Sequence, residues 1–364
     1  VLKIQEYLRS GKTLDDLNQE YGIVATHHEI LPLVILNYSQ IDSPKWPQLV
    51  RECRGLVLNK ENYNLIARSF SRFFNMGEMQ GEELDFHWNH CVTQEKHDGS
   101  LCLLYYFDSE WRANTRGSFG MGPMLNEWQA KYFGMPQNFT WQQGFCRALS
   151  IDKISDLNLD RSCTYVCEFC SPWNKVVRSY TTPRMYLLTR FVGEQEVGAD
   201  DNPQFCKVEE YPLNNVKDIT NFCNSHEEAT FEGVVIKDDG FRRWKLKNSR
   251  YIALHHMKGN GDNLWNPKYL LPFILANEQG ELLSYFPEAE TVYRECEDKV
   301  NSAYAELEKV WAASKDIENQ KEFALSIVGK TPFTGVLFTA RKMKVNLKEQ
   351  WQKHGDGILK TLFK

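Results

Sequence analysis

An α+β fold is predicted for this chain of 364 residues: an N-terminal domain of largely antiparallel sheets over 1–257, then a smaller all-α domain over 258–364. Three observations predict it. Short apolar runs bounded by turn residues recur from Ile30 to Leu246, the mark of strands. Beyond Pro287 apolar residues repeat at three- and four-residue steps, the period of a helix face. Between the two, Lys258-Gly259-Asn260-Gly261-Asp262-Asn263 breaks both patterns and marks a junction.

The elements follow in order. Residues 1–30 begin helically (Leu2, Ile4, Leu8) and break at Gly11. Strands are predicted over Leu33–Leu36, Gly55–Leu58 and Leu65–Ala67. Val92–Glu95 leads as a strand into Lys96, and Leu101–Phe107 and Arg112–Thr115 form a hairpin turned at Asp108-Ser109-Glu110. One helix is expected between Pro123 and Leu149, with Trp128, Tyr132 and Phe145 as its apolar positions. Thr164–Phe169, Met185–Phe191 and Glu232–Lys237 are further strands, and Asp238-Asp239-Gly240 turns the last of them into Arg242–Leu246. Val292, Cys296, Val300, Ala303, Leu307 and Val310 make one helical stripe, with further helices expected from Asp316 to near Gly329 and from Asn346 to His354.

Composition narrows the function. The chain is 42% hydrophobic and 25% charged, the balance of a soluble globular protein with ample core. Its net charge of -5 means that any polyanion site has to be local. Apolar runs fall short of a membrane span and no signal-peptide pattern opens the chain, so a cytoplasmic setting is expected, the host's cytoplasm for a viral protein. The ten cysteines are scattered through apolar pattern, which fits reduced thiols. Cys167 and Cys170 form a C-x-x-C without a second pair, so two small strand residues are expected rather than a zinc site.

The chemistry centres on Glu95-Lys96-His97-Asp98-Gly99-Ser100. A lysine amine attacks phosphorus only when unprotonated, which neighbouring cations and desolvation promote. Alone, K-x-D-G is a weak signal that a lysine in an exposed turn would also give. Glu168 shares a strand face with Val166 and Thr164, so it needs a partner: a ribose hydroxyl, a metal or a structural ion pair. Glu232 heads an apolar strand, where a carboxylate can hold a hydrated divalent cation beside phosphates. Lys245 and Lys247 are two apart in a strand and share a face, an arrangement that repels itself unless an anion sits between them. Arg242, Arg243, Lys245, Lys247 and Arg250 form the densest basic run of the chain.

In that order, Lys96-His97-Asp98-Gly99, Cys167-Glu168-Phe169, Glu232-Gly233-Val234-Val235 and Lys245-Leu246-Lys247 resemble the motifs of the covalent nucleotidyltransferases, the superfamily of ATP-dependent ligases and messenger-RNA capping enzymes. Glu52-Cys53-Arg54-Gly55, Arg72-Phe73-Phe74-Asn75 and Lys247-Asn248-Ser249-Arg250-Tyr251 with Leu254-His255 are most similar to the T-even bacteriophage RNA ligase 1 group. The resemblance implies Lys96 as the adenylated nucleophile, with Glu232, Lys245 and Lys247 completing the catalytic set. It implies Glu232 as ligand of a catalytic Mg2+, for which Mn2+ can substitute. Arg54 and Arg72 would contact the phosphates of ATP, and Glu168 the ribose. Arg116 stands where the group tends to show lysine. Tyr38, Glu95 and Tyr251 would be further nucleotide contacts, and Val234 with Val176-Val177 would flank adenine.

The implied activity is sealing of 5′-phosphate to 3′-hydroxyl RNA ends through lysine–AMP and RNA–adenylate intermediates. The implied substrate is single-stranded or nicked-loop RNA, transfer RNA included; a monomer is the default expectation, which no feature of the sequence decides. In that group the C-terminal domain helps select the RNA. Three readings compete. A GTP-dependent capping-type guanylyltransferase would use the same lysine chemistry, but the Arg54 and Arg72 elements argue against it. A DNA ligase is the second. A non-catalytic RNA-binding relative is the third, and it would not require the nucleophile.

Overall fold

The computed structural model describes residues 1–40, 42–78, 85–125, 127–174, 178, 180–226, 231–248, 251–252, 266–280, 283 and 290–363, the side chains of Trp128 and Tyr132 excepted. The chain divides into two compact units, Val1–Lys258 and Gly259–Lys364.

In the first unit, helices Lys3–Arg9 and Leu14–Tyr21 open the chain. Thr13 and Asp16 cap the second reciprocally, and Gly22 ends it at φ 64°. Ile23–His27 (β1) follows, a strand that the helical opening had hidden. It pairs with Leu33–Tyr38 (β2), which pairs in turn with Arg54–Asn59 (β3) and then Leu65–Ala67 (β4), all antiparallel. Gln48–Glu52 is a short helix before β3.

The remaining strands are Phe74–Asn75 (β5), Cys91–Glu95 (β6), Ser100–Phe107 (β7), Glu110–Thr115 (β8), Cys163–Cys170 (β9), Arg184–Val192 (β10), Gln195–Glu196 (β11), Glu210–Tyr211 (β12), Gly233–Asp238 (β13) and Arg243–Lys247 (β14). A second sheet runs β11-β10-β9-β7-β8 and a third β12-β6-β13-β14-β5. Among the described strands only β14 with β5 is parallel. The turn between β7 and β8 places Asp108 and Ser109 at φ 52° and 62°, the left-handed pair that a two-residue hairpin uses.

Alternation along each strand decides what meets what. Leu33, Ile35 and Val57 of the first sheet pack with Leu101, Leu103 and Val166 of the second. Their alternates Val34, Leu36 and Leu58 pack with Ile4, Leu8 and Leu17 of the opening helices. On the far face of the second sheet, Cys102, Leu104, Cys167 and Phe169 pack with Phe145 and Leu149 of helix Trp141–Leu149. The single helix expected between Pro123 and Leu149 is two, Glu127–Phe133 and Trp141–Leu149. Gly134 at φ 63° ends the first, and Pro136 cannot continue it. In the third sheet Val234, Ile236 and Trp244 pack with Ile219 and Cys223 of helix Val216–Ser225.

The second unit is helical where described. Its longest helix, Glu290–Ser314, presents Cys296, Val300 and Leu307 to a core shared with Leu270, Phe323 and Trp351. Helices Gln320–Ile327 and Leu347–Lys353 lie within the expected spans, each capped by an asparagine, Asn319 and Asn346. Helices Pro267–Leu275, Thr334–Met343 and Gly355–Leu362 were not anticipated. The loop expected at 258–263 lies outside the described residues.

Candidate active site

Lys96 follows the end of β6, and its backbone N–H donates to Gly233 O at 2.9 Å. Two glycines bring the motifs together here. Gly233 has φ 145°, and a Cβ on it would lie 2.7 Å from Lys247 Cα on β14. A Cβ on Gly99 would lie 2.7 Å from Cys170 Sγ, so the turn after Lys96 can pack against β9, which carries Glu168. Lys96 and Glu168 both line one cavity of ≈430 Å³, with walls from the second and third sheets.

Glu232 is buried beside this cavity. Its Oε1 lies 2.7 Å from Lys96 Nζ and 3.7 Å from Lys247 Nζ. Its Oε2 is buried with no hydrogen-bond partner among the described residues. A buried carboxylate oxygen left bare is costly, and a hydrated divalent cation would satisfy it. The pairing of Lys245 with Val235 and of Lys247 with Gly233 puts both lysines on the cavity side of β14.

A second cluster surrounds Tyr38 at the end of β2. The Arg72 and Arg116 guanidinium carbons stand 4.5 and 4.9 Å from the centre of its ring. Burial pushes the phenol up, but Arg54, Arg116, Arg72 and Lys245 outweigh it and hold the group below its ordinary value. Arg54 packs over Phe70 at 4.7 Å, and burial lowers its guanidinium below the ordinary range. Arg54 Nη1 and Arg72 Nη1 are both buried without a partner among the described residues. Four cations with two bare donors are a site for a multiply charged anion, and the residues therefore fit a triphosphate.

Glu168 is half-buried, and no hydrogen bond reaches its carboxylate among the described residues. Burial raises it to about 7, against the opposing pull of Lys96 and Arg54. A hydroxyl donor or another hydrogen-bonding ligand group would fit there. His97 stacks on Tyr186 with ring centres 3.6 Å apart, and burial lowers it to about 3, so it is neutral near pH 7.

Two expectations need correction. Val234 faces away from the cavity into the core with Ile236, and its strand neighbour Val235 lines the cavity instead. Period two in β13 makes the two exclusive. Tyr251 is fully buried and is not part of the cavity wall; its N–H donates to Asn248 Oδ1 at 3.2 Å. Glu95 lines the cavity, where a nucleotide contact was expected, and its carboxylate is engaged by the Arg178 guanidinium. The Arg178 backbone N–H also donates to Asp98 Oδ2 at 2.8 Å, so Arg178 braces the lysine motif from both sides. The sequence carried no signal for Arg178, nor for Phe70 and Trp141, which line the cavity; Arg243, marked in the sequence by the basic run, lines it too. Val176, Val177, Ser249, Arg250, Leu254 and His255 lie outside the described residues.

A family model described as RNA ligase matches residues 52–251. The chain is 26% identical over 366 residues to a putative bifunctional polynucleotide kinase/RNA ligase of Autographa californica nuclear polyhedrosis virus, covering 94% of this chain and 50% of that protein. It thus spans about half the length of this curated relative. Among solved structures, an archaeal ATP-dependent RNA ligase superposes with TM-score 0.48 at 12% identity, covering 100% of each chain. A Naegleria gruberi RNA ligase variant superposes with TM-score 0.37 at 15% identity over 51% of this chain and 58% of that one.

Proposed function

The chain belongs to the T4 RNA ligase 1 family of RNA ligases, and from that premise we propose that it is an ATP-dependent enzyme joining 5′-phosphate to 3′-hydroxyl RNA ends. The observation that carries the reading is Lys96 Nζ held 2.7 Å from a buried carboxylate, beside a cavity whose neighbouring arginines have unpaired donors. Neither a binding module nor a structural protein has use for that lysine.

In the first step Lys96 Nζ, unprotonated, attacks the α-phosphorus of ATP. The N–P bond forms, the P–O bond to pyrophosphate breaks, and AMP is left on the lysine. Glu232 Oε1 is the acceptor facing the amine, while the bare Oε2 is the atom proposed to hold Mg2+ or Mn2+. The metal, when bound, supplies charge neutralisation at the phosphoryl oxygens. Arg54, Arg72, Arg116 and Lys245, grouped around Tyr38, hold the departing pyrophosphate, and Glu168 holds the ribose. Val235, Leu188 and Trp141 are the apolar surfaces offered to adenine. Lys247, 3.7 Å from Glu232, balances its charge. AMP then passes to a 5′-phosphate of RNA, and a 3′-hydroxyl displaces it to close the phosphodiester.

The proposed substrate is single-stranded or nicked-loop RNA, broken transfer RNA included. The proposed state is a monomer, working in the cytoplasm or in a host's cytoplasm. No helix among the described residues is long and apolar enough to cross a membrane. The helical unit is proposed to select the RNA. The test is incubation with ATP labelled on the α-phosphate: a covalent adduct that requires Lys96 is expected. An adduct that survives Lys96→Ala, or one formed from GTP in preference to ATP, removes the reading.

A further inference from the structure

In the cavity wall a nucleotide would find polar partners for its phosphates and its ribose, but only apolar surfaces for its base. His97 lines the same cavity and has no part in the chemistry set out above. Its ring lies flat on Tyr186, with centres 3.6 Å apart and 18° between the planes. Tyr186 of β10 stands directly opposite Glu168 of β9, and residues so paired share one face of the sheet. The imidazole therefore lies on the face that carries Glu168, one strand further along. Leu188 and Val208 pack around Tyr186 there and also line the cavity. His97 is 6% exposed, and both of its ring nitrogens are buried without a hydrogen-bond partner among the described residues. A neutral imidazole has one N–H and one lone pair, and leaving both unmet inside a protein is costly.

Which nitrogen carries the proton follows from the neighbours. Nδ1 lies 3.8 Å from Glu95 Oε1, a carboxylate held by Arg178. That distance is too long for a hydrogen bond, but the negative charge favours the tautomer protonated on Nδ1. Nε2 is then a bare acceptor. Burial, with Arg178, Lys96 and Arg184 nearby, keeps the ring neutral at pH 7, so no second proton takes up that lone pair. An acceptor among apolar side chains does not suit a phosphate. It suits a donor on a flat ring, and in a nucleotide that donor is the exocyclic amino group of the base. We propose that His97 Nε2 accepts a hydrogen bond from the 6-amino group of adenine and so selects ATP over a purine with oxygen at that position. A 6-oxo purine would set two lone pairs against each other. The proposal rests on the ligase reading above, and it names the residue that decides which base is taken.

The experiment uses the full chain with ATP and with purine riboside triphosphate, which lacks only the 6-amino group. Affinity for each is measured by isothermal titration calorimetry without divalent metal, so that no adduct forms. The lysine adduct is followed separately, with Mg2+, by intact-protein mass spectrometry. Wild type should bind ATP about tenfold more tightly than the analogue, the worth of one buried hydrogen bond. His97→Phe keeps a ring on Tyr186 and removes the acceptor, so the two nucleotides should bind within about twofold of each other. His97→Gln returns an acceptor and should recover part of the preference. The readout is a ratio within one protein, and damage to the fold would weaken both nucleotides alike. A preference that persists in His97→Phe would overturn the proposal. So would an equal loss for both nucleotides, which would leave His97 a packing group, and so would a wild type indifferent to the amino group. If the ratios behave as expected but wild type never forms an adduct with ATP, the base contact stands and the ligase reading falls.

Discussion

At one side of the proposed catalytic cavity, Lys96 and Lys247 face a single buried carboxylate, Glu232, and charge balances there once Lys96 gives up its proton for attack. At the other, Arg54, Arg72, Arg116 and Lys245 crowd one phenol, with the rings of Tyr38 and Phe70 packed against guanidiniums. The first arrangement holds its shape by itself. It can keep a half-buried lysine aimed before any nucleotide arrives. The second is a cluster of like charges that a polyphosphate would relieve. Pre-positioning a nucleophile calls for charge balance, whereas gripping a leaving group calls for charge in excess.

Breaking the balanced side should cost most. Glu232→Ala removes the acceptor for Lys96 and the bare oxygen proposed for the metal together. Adduct formation with labelled ATP is expected to fall by about a thousandfold or more, in Mg2+ or in Mn2+. A smaller loss restricted to Mg2+ would confine Glu232 to the metal. Next comes the excess side. Arg54→Leu should lower the rate of adenylylation about a hundredfold, with sealing of a pre-adenylated RNA largely preserved, because that step releases no pyrophosphate. Equal damage to both steps would merge the two sides into one function.

A finer test concerns Tyr38. If its ring seats Arg72 and Arg116, Tyr38→Phe should stay within about threefold of wild type, whereas Tyr38→Leu should lose roughly tenfold in kcat/KM for ATP. Equal losses in both would make the hydroxyl, not the ring, the working part. The smallest effect is on stability. Burial lifts Glu168 from 4.5 to about 7, so between those values the folded protein holds a proton that the unfolded chain has lost. Without nucleotide, stability therefore falls as pH rises through that window. Glu168→Gln should flatten this slope, as read by urea unfolding at several pH values. A slope unchanged by the substitution would place the carboxylate in better-solvated surroundings.

The covalent pattern of the chain was enough to propose the lysine, its carboxylates and its cations, because attack on phosphorus demands those residue types whatever the scaffold. It was enough too for most long strands, where β-branched runs between turn residues leave little choice, and for the two asparagine-capped helices. Where each side chain points was decided by tertiary structure. Val234 and Val235 are alike in composition, and only the packing of Ile219 and Trp244 against one face of β13 gives the cavity to Val235. Glu95 lines the cavity, and its carboxylate is oriented there by Arg178, 83 residues away, a pairing the sequence did not show. The helix expected from 123 to 149 split at Gly134 and Pro136, whose local geometry overruled the spacing. A reaction constrains which atoms must be present. Burial, register and long-range charge pairing, which depend on the whole fold, choose which residues deliver them.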